Sequence, residues 1–433
     1  MSPKGIGNGF SGTVAIDTHG CKLNQADSEA LTRRFIQAGY RVVESREGAD
    51  VYVLNTCTVT HVADGKARQA LRKFRRENPE AVVVATGCYA QRADSQLTSL
   101  KGLDMVAGNR DKDRLVEMVL AHRGQGSGLA PNCVSEGVPV LGRARAMVKI
   151  QEGCNQVCAF CIVPKVRGKE RSIPVEELVE QVKRREAEGY REVVLTGTQL
   201  GSYGFDLADA GLESLISQVL SCTDIERLRV SSVQPQEFTA ALLDLWRDPR
   251  LCPHFHVPLQ SGSDTVLKRM RRRYSSGQYR EALDRIHHHY PHASVTADVI
   301  VGFPGETEEE FKETLDLCQE ANLAGMHVFP YSPRPGTGAA RMELQVDPKV
   351  KRVRVEELLA LAGEKASCFR RGLLGAVRPV LWEREELGEE GVYRGLTDNY
   401  LKVKAHSSQA LTNRITPTLL VEEMEDGVFG RVA

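Results

Sequence analysis

No apolar run in this 433-residue chain approaches the ~18 residues that a membrane span needs. The stretch Met1–Phe10 also lacks the apolar segment of an export signal, so a cytoplasmic location without membrane attachment is expected. Charge of neither sign is in excess: 57 Lys and Arg balance 57 Asp and Glu, and any nucleic-acid surface must be a local patch. A disulfide framework is disfavoured as well. Eleven cysteines, an odd number in a long chain without an export signal, point to metal or redox chemistry. The composition, 41% hydrophobic and 26% charged, suits soluble domains with real cores.

Three segments can be distinguished. In residues 11–122, short β-branched runs at 13–18, 50–56 and 81–86 each precede a helical stretch, starting near Asp27, Ala63 and Gln91. Buried strands alternating with helices predict a parallel α/β sheet. Residues 123–142, dense in Gly, Ser and Pro, read as a linker. Residues 143–371 hold six βα patterns, with strands at 145–151, 191–197, 226–233, 254–259, 294–301 and 325–331, then a basic helical connector. Six units predict a partial (βα)6 barrel, whose active groups sit at the C-terminal strand ends. Residues 372–433 carry short strands and turns that predict a small β-barrel.

The densest chemical signal is Cys154, Cys158 and Cys161, which follow the first strand of the second segment. Buried structural thiols and a zinc site remain alternatives, although zinc needs a fourth ligand and no Cys or His lies nearby. Three thiolates on a four-iron cube would leave one iron open, where an amine and a carboxylate of a small molecule can chelate. A second set, Cys21, Cys57 and Cys88, is spread along the first segment, yet each residue follows an apolar strand by one or two positions. Strand ends of a parallel sheet share one edge, so these thiols can converge. Gly20 and Gly87 would let backbone approach a bulky group closely. Ordinary buried thiols are the alternative here too.

The spacing C-x3-C-x-φ-C, with Phe160 at the aromatic place, resembles the radical S-adenosylmethionine superfamily. With the Gly20-to-Glu29, Asn55-to-Thr60, Gly87-Cys88, Arg167-to-Ser172, His256-to-Gly262 and Tyr331-to-Thr337 stretches, the whole chain resembles the methylthiotransferase family. That resemblance implies two four-iron clusters, a radical one on Cys154, Cys158 and Cys161 and an auxiliary one on Cys21, Cys57 and Cys88. It further implies S-adenosylmethionine as cofactor and a C-terminal TRAM domain that binds substrate RNA. By the same analogy Phe160, Gly197, Thr198, Ser231, Gln260 and Ser261 would touch S-adenosylmethionine. The implied reaction methylates an auxiliary-cluster sulfur, abstracts hydrogen from adenine C2 and joins the two. Electrons would come from a flavodoxin- or ferredoxin-type protein, and a monomer is expected. Lys22 with Asn24-Gln25, and Thr58-Val-Thr60, resemble the branch acting on N6-threonylcarbamoyladenosine beside the tRNA anticodon. Sister branches act on isopentenyladenosine in tRNA or on a ribosomal-protein aspartate. A non-catalytic two-cluster electron carrier is the competing class.

Lys22, Asn24 and Asn55 are candidates for lining the substrate pocket, with turn capping the alternative for the asparagines. Lys66, Arg68, Arg72, Lys73, Arg75 and Arg76 form one basic helix, and residues 268–273 form a second basic run. Either run can be an RNA patch or a solvated face. The tail leans acidic through Glu383, Glu385, Glu386, Glu389, Glu390, Glu422, Glu423 and Glu425. Cys133, Cys222, Cys252, Cys318 and Cys368 follow no strand-end pattern and read as packing residues, and His287–His289 as an exposed helix end.

Overall fold

The computed structural model describes residues 11–45, 48–124 and 144–433. Cys133 and most of the expected linker lie outside the described residues. The chain divides into two compact units, Met1–Glu136 with Ile162–Lys169, and Gly137–Cys161 with Glu170–Ala433.

In the first unit, strands β1 (Gly12–Thr18), β2 (Tyr40–Val42), β3 (Val51–Thr56), β4 (Val82–Gly87) and β5 (Met105–Ala107) form a sheet in the order β2-β1-β3-β4-β5. Every pairing is parallel. Strand alternation splits the apolar side chains between two faces. Val14, Val51, Val53 and Val84 pack with Leu31, Phe35, Leu115 and Val119 on one side. On the other, Ala15, Tyr52, Leu54 and Val83 pack with Leu71, Phe74 and Leu97. The short β2 and β5, too brief to show a pattern, were not legible in the sequence. The first helix begins at Lys22, five residues before the expected Asp27, because Cys21 already holds an extended N-cap conformation.

The second unit opens with β6 (Arg145–Lys149), followed by a small antiparallel pair, β7 (Gln151–Glu152) and β8 (Arg171–Ser172). Then come β9 (Glu192–Thr196), β10 (Arg227–Val230), β11 (His254–His256), β12 (Ser294–Val301) and β13 (Gly325–Pro330). The six parallel strands form two three-stranded sheets, β10-β9-β6 and β11-β12-β13, joined by a parallel bridge between Ser232 and His256. Their outward side chains, such as Val148, Leu195, Leu228, Phe255, Val295 and Ala297, pack on the surrounding helices. The helix Glu308–Glu320 starts with the expected capping box: Glu310 N donates to Thr307 Oγ1 at 3.2 Å, and Thr307 N to the Glu310 carboxylate at 2.9 Å.

After the helix Pro348–Gly372, strands β14 (Val377–Glu385), β15 (Val392–Thr397), β16 (Lys402–His406), β17 (Ile415–Met424) and β18 (Gly427–Val432) close a barrel around Trp382. This barrel is packed into the second unit. Arg227 donates to the carbonyls of Leu396 and Pro379, and Arg229 to that of Asp398. Tyr400 stacks on His254 with ring centroids 4.4 Å apart, and the Arg229 guanidinium lies 4.8 Å from the Tyr400 centroid. The residue 397–401 turn thus covers the sheet near Arg229 of β10 and His254, the first residue of β11.

Glu192 organises this junction. It is fully buried and bonds Arg229 at 2.8 Å and 3.1 Å. Burial pushes its carboxyl up, but Arg229, then Arg145 and Arg227, outweigh that and hold it at about 2. The sign follows from the depressed value: the stabilisation is fully present above the unfolded carboxylate range of ~4.3 and is lost as pH falls through about 2. Arg229→Ala, which strands the buried Glu192 charge, is expected to destabilise the protein by about 3–5 kcal/mol. A thermal melt at neutral pH checks this, and the difference from wild type should shrink on acidification.

Candidate metal centres and cofactor site

In the first unit, Cys21 caps the helix Lys22–Gln37, Cys57 follows β3, and Cys88 follows β4 across Gly87. Three parallel strands in register deliver them to one edge. Burial is the largest influence on the Cys57 thiol and, with Cys88 and Cys21 as neighbours, pushes it up to about 11. A thiol so raised is a poor free thiolate, and a cation must be present for it to ionise at neutral pH. Glycine keeps the approach open: a Cβ on Gly20 would lie 3.1 Å from Cys57 Cβ. Gly87 has φ +93° and is hemmed in by Asn55 and Thr56. Gly87→Ala adds left-handed strain to a Cβ 2.5 Å from the Thr56 carbonyl oxygen. It is expected to cost several kcal/mol, more than ~3, and to lower cluster iron, measured by melting and iron assay.

The asparagines prove to be internal ties. Asn24 is buried, and its Nδ2 donates to the carbonyls of His19 at 3.0 Å and Thr56 at 3.1 Å. Asn55 donates to Asn24 O at 2.8 Å and Ser28 Oγ at 3.0 Å. Both therefore hold the Cys21 and Cys57 loops together, and Lys22 is the half-buried member of the expected trio. Thr58 and Thr60 are structural too: Thr58 bonds Asp64 at 2.7 Å, and Thr60 caps the helix His61–Glu77.

Sequence reading missed a buried charge cluster in this unit. Arg167 donates to Asn24 Oδ1 at 2.6 Å and Asp27 Oδ2 at 3.1 Å, and Lys112 Nζ to the same Asp27 oxygen at 2.7 Å. Asn109 accepts from Lys112 at 2.8 Å and lies 3.6 Å from Cys88 Sγ. The segment that follows Cys161 in sequence is thus tied to the helix that follows Cys21. Only separation in sequence hid it; the motif fragments around Asp27 and Arg167 were visible.

In the second unit, Cys154, Cys158 and Cys161 lie on the loop after β7. Gln156 N donates to Cys154 Sγ at 3.4 Å, and Arg272 NH1 lies 3.3 Å from Cys158 Sγ. Arg272, taken from sequence as one of a solvated or RNA-facing run, is thus a charge partner of a cysteine. Arg269 of that run pairs with Glu310 at 2.5 Å, whereas Lys268, Arg271 and Arg273 are exposed. In the first basic helix Arg75 is tied to Asp104 and Arg68 to Tyr89, leaving Lys66, Arg72, Lys73 and Arg76 exposed.

The strand-end loops form a polar rim. Gln151 Oε1 accepts from the backbone of Thr198 at 2.9 Å and Gln199 at 3.1 Å. Gln199 donates to Glu237 at 2.5 Å, and Gln234 donates to Gln199 at 2.6 Å and Gln156 at 3.1 Å. Among the described residues, Thr198 Oγ1 and Ser231 Oγ are buried with no hydrogen-bond partner. Such atoms call for a ligand, and the donor set of three thiols, two hydroxyls and amides fits S-adenosylmethionine on an open-iron cluster. Gln260 holds φ +66° at its strand end, and Phe160 packs beside Phe303 and Tyr331. Ser261 is engaged elsewhere, its hydroxyl 3.0 Å from Thr314 Oγ1 and accepting from Ser263 N at 3.2 Å.

Of the remaining cysteines, Cys252 and Cys318 are buried, whereas Cys222 and Cys368 are exposed. The packing expectation is corrected for that pair, whose helical positions face solvent. His288 and His289 end an exposed helix as expected, while His287 bonds Asn322 O at 2.9 Å. Among the described residues, no helix is long and apolar enough to cross a membrane.

A partial (βα) barrel with a three-cysteine loop after its first strand and polar strand-end loops defines a radical S-adenosylmethionine enzyme. Residues 148–318 match the Radical SAM superfamily, and residues 13–108 match Uncharacterized protein family UPF0004. A solved structure of the radical S-adenosylmethionine methyltransferase TsrM from Kitasatospora setae shares the fold, with TM-score 0.53, 15% identity, and 73% and 72% of the two chains covered. Threonylcarbamoyladenosine tRNA methylthiotransferase MtaB of Bacillus subtilis is 39% identical, with 97% of each chain covered. The protein of that name from Aquifex aeolicus is also 39% identical, over 90% of this chain and 96% of its own. tRNA-2-methylthio-N(6)-dimethylallyladenosine synthase of Bacillus subtilis is 35% identical, over 91% and 80%. The chain belongs to the radical SAM tRNA methylthiotransferase family. It is an enzyme, and its cofactors are S-adenosylmethionine and iron–sulfur clusters.

Proposed function

We propose that this enzyme converts N6-threonylcarbamoyladenosine beside the tRNA anticodon to its 2-methylthio derivative. The observation that carries the reading is the 39% identity, over 97% of both chains, to a relative named for that substrate. Cys154, Cys158 and Cys161 hold the radical cluster, and Cys21, Cys57 and Cys88 the auxiliary one. When bound, the first supplies the electron that cleaves the sulfonium to an adenosyl radical, and the second supplies the sulfur.

The chain's own residues prepare this chemistry. Arg272 offsets the charge of the Cys158 thiolate. The hydroxyls of Thr198 and Ser231 meet polar groups of S-adenosylmethionine, Phe160 and Gln260 flank it, and Gln151 holds the Gly197–Gln199 loop in place. Lys22 is the candidate cation for the substrate carboxylate. Residues 11–122, 143–371 and 372–433 serve as auxiliary-cluster, radical and RNA-binding parts, with exposed Lys66, Arg72, Lys73 and Arg76 meeting phosphates. The enzyme works as a cytoplasmic monomer reduced by a flavodoxin- or ferredoxin-type protein.

The test is nucleoside mass spectrometry of tRNA from cells lacking and expressing the chain, with purified enzyme offered each modified tRNA. The methylthio product should form on threonylcarbamoyl tRNA. Equal turnover of isopentenyl tRNA, or modification of a ribosomal protein, overturns the assignment.

A further inference from the structure

Strands β11, β12 and β13 turn Phe255, Val295, Ala297, Val299 and Met326 toward the helices. Alternation then places His256, Thr296, Asp298 and His327 on the opposite, concave face of the sheet. There they form a tight group. Asp298 Oδ2 lies 3.2 Å from His256 Nε2, and Asp298 Oδ1 lies 3.1 Å from His327 Nδ1. All three residues offer ligand atoms within 4.8 Å of one another. No role described above uses this group. It sits two residues along β11 from His254, which Tyr400 covers, and four residues short of Gln260 at the rim.

We infer that His256, Asp298 and His327 form a site for a divalent first-row transition-metal ion on the concave face of the barrel. Two imidazoles and one carboxylate with no thiolate are the donor set that such ions take, leaving coordination positions open. Ions of this class bind N and O at ~2.0–2.2 Å, which puts neighbouring ligand atoms ~2.9–3.4 Å apart. The observed 3.1 Å and 3.2 Å fall inside that window. The outer partner is also present: His256 Nδ1 is 3.0 Å from Thr296 Oγ1, which lies 3.1 Å from His254 Nε2. Thr296 has one proton to give. When it goes to His254, His256 Nδ1–H donates to Thr296 and Nε2 turns a lone pair toward the Asp298 carboxylate. A metal ion between them satisfies both lone pairs, as a proton does when His256 carries it on Nε2.

The His327 side chain remains 64% exposed and Asp298 31%, so the ion would stay open to the concavity. It would there be a Lewis acid for carboxylate or carbonyl oxygens.

The experiment is equilibrium dialysis of tag-free, cluster-loaded enzyme against Zn2+, with zinc and iron measured by elemental analysis. His288→Ala and His289→Ala are built into every sample to remove the exposed histidines. One zinc per chain above the cluster iron is expected. Asp298→Asn and His256→Gln should weaken binding more than ~100-fold, and Thr296→Val by ~10–100-fold, at unchanged iron content. His327→Ala, at a largely exposed position, provides the same readout if a buried variant fails to fold. No zinc in the parent enzyme, or equal binding by the parent and folded variants, overturns the site. The readout is metal content, so it stands or falls independently of the tRNA substrate.

Discussion

Replacing Cys158 with Ala is expected to abolish reductive cleavage of S-adenosylmethionine and to remove about half of the reconstituted iron, about four of eight atoms. The expectation rests on the placement of this thiol. It sits on the loop after β7, with Arg272 NH1 3.3 Å from its sulfur and the polar rim of Gln156, Gln199 and Gln234 beside it. A cube left with two thiolates loses its anchor. Anaerobic reconstitution, iron assay and measurement of released 5′-deoxyadenosine check the outcome. Retention of full iron, or loss of all of it, would mean that the two cysteine sets do not load independently. Arg272→Met should keep the iron yet slow cleavage, since it removes the charge beside Cys158 together with the hydrogen bond from Arg272 to Tyr274 while leaving the three thiols in place.

Cys57→Ala is expected to have the complementary effect: methylthiolation stops, while cleavage of S-adenosylmethionine continues. Cys57 lies in the first unit with Cys21 and Cys88 as neighbours, whereas the Cys154 loop belongs to the second unit. In the proposed arrangement its removal deprives the auxiliary cluster of a buried ligand and leaves the radical chemistry without a sulfur to deliver. Release of 5′-deoxyadenosine without methylthio product, measured on the same tRNA, is the signature. Loss of cleavage in folded Cys57→Ala protein would refute this division of labour.

Much of this was legible in the chain because it is written locally. The Cys154-to-Cys161 loop is eight consecutive residues, and Thr307 with Glu310 spells a capping box within one helical turn. The strands β3 and β4 are continuous apolar runs, and their period needs no partner to be recognised. Cys21, Cys57 and Cys88 were recognisable because each follows an apolar strand by one or two positions.

Other features depend on residues that meet only after folding. Asn24 and Asn55 are candidates for lining the pocket in sequence, yet the fold turns their polar atoms onto neighbouring loops. Lys112 reaches Asp27 across 85 positions, and Arg272 reaches Cys158 across 114. No local period records such pairs. The same holds for the small barrel, whose acidic composition suggested little about its seat. Arg227 and Arg229 on β10 fix it through carbonyls of β14, β15 and the 397–401 turn. Composition and spacing by themselves determined the sheet-and-barrel plan and the two thiol sets, and the chemistry followed from the family resemblance those motifs carry. Which charges face those thiols, and that His256, Asp298 and His327 share one concave face, only the tertiary structure decided, because strand register sets these contacts and is itself settled by burial over the whole fold.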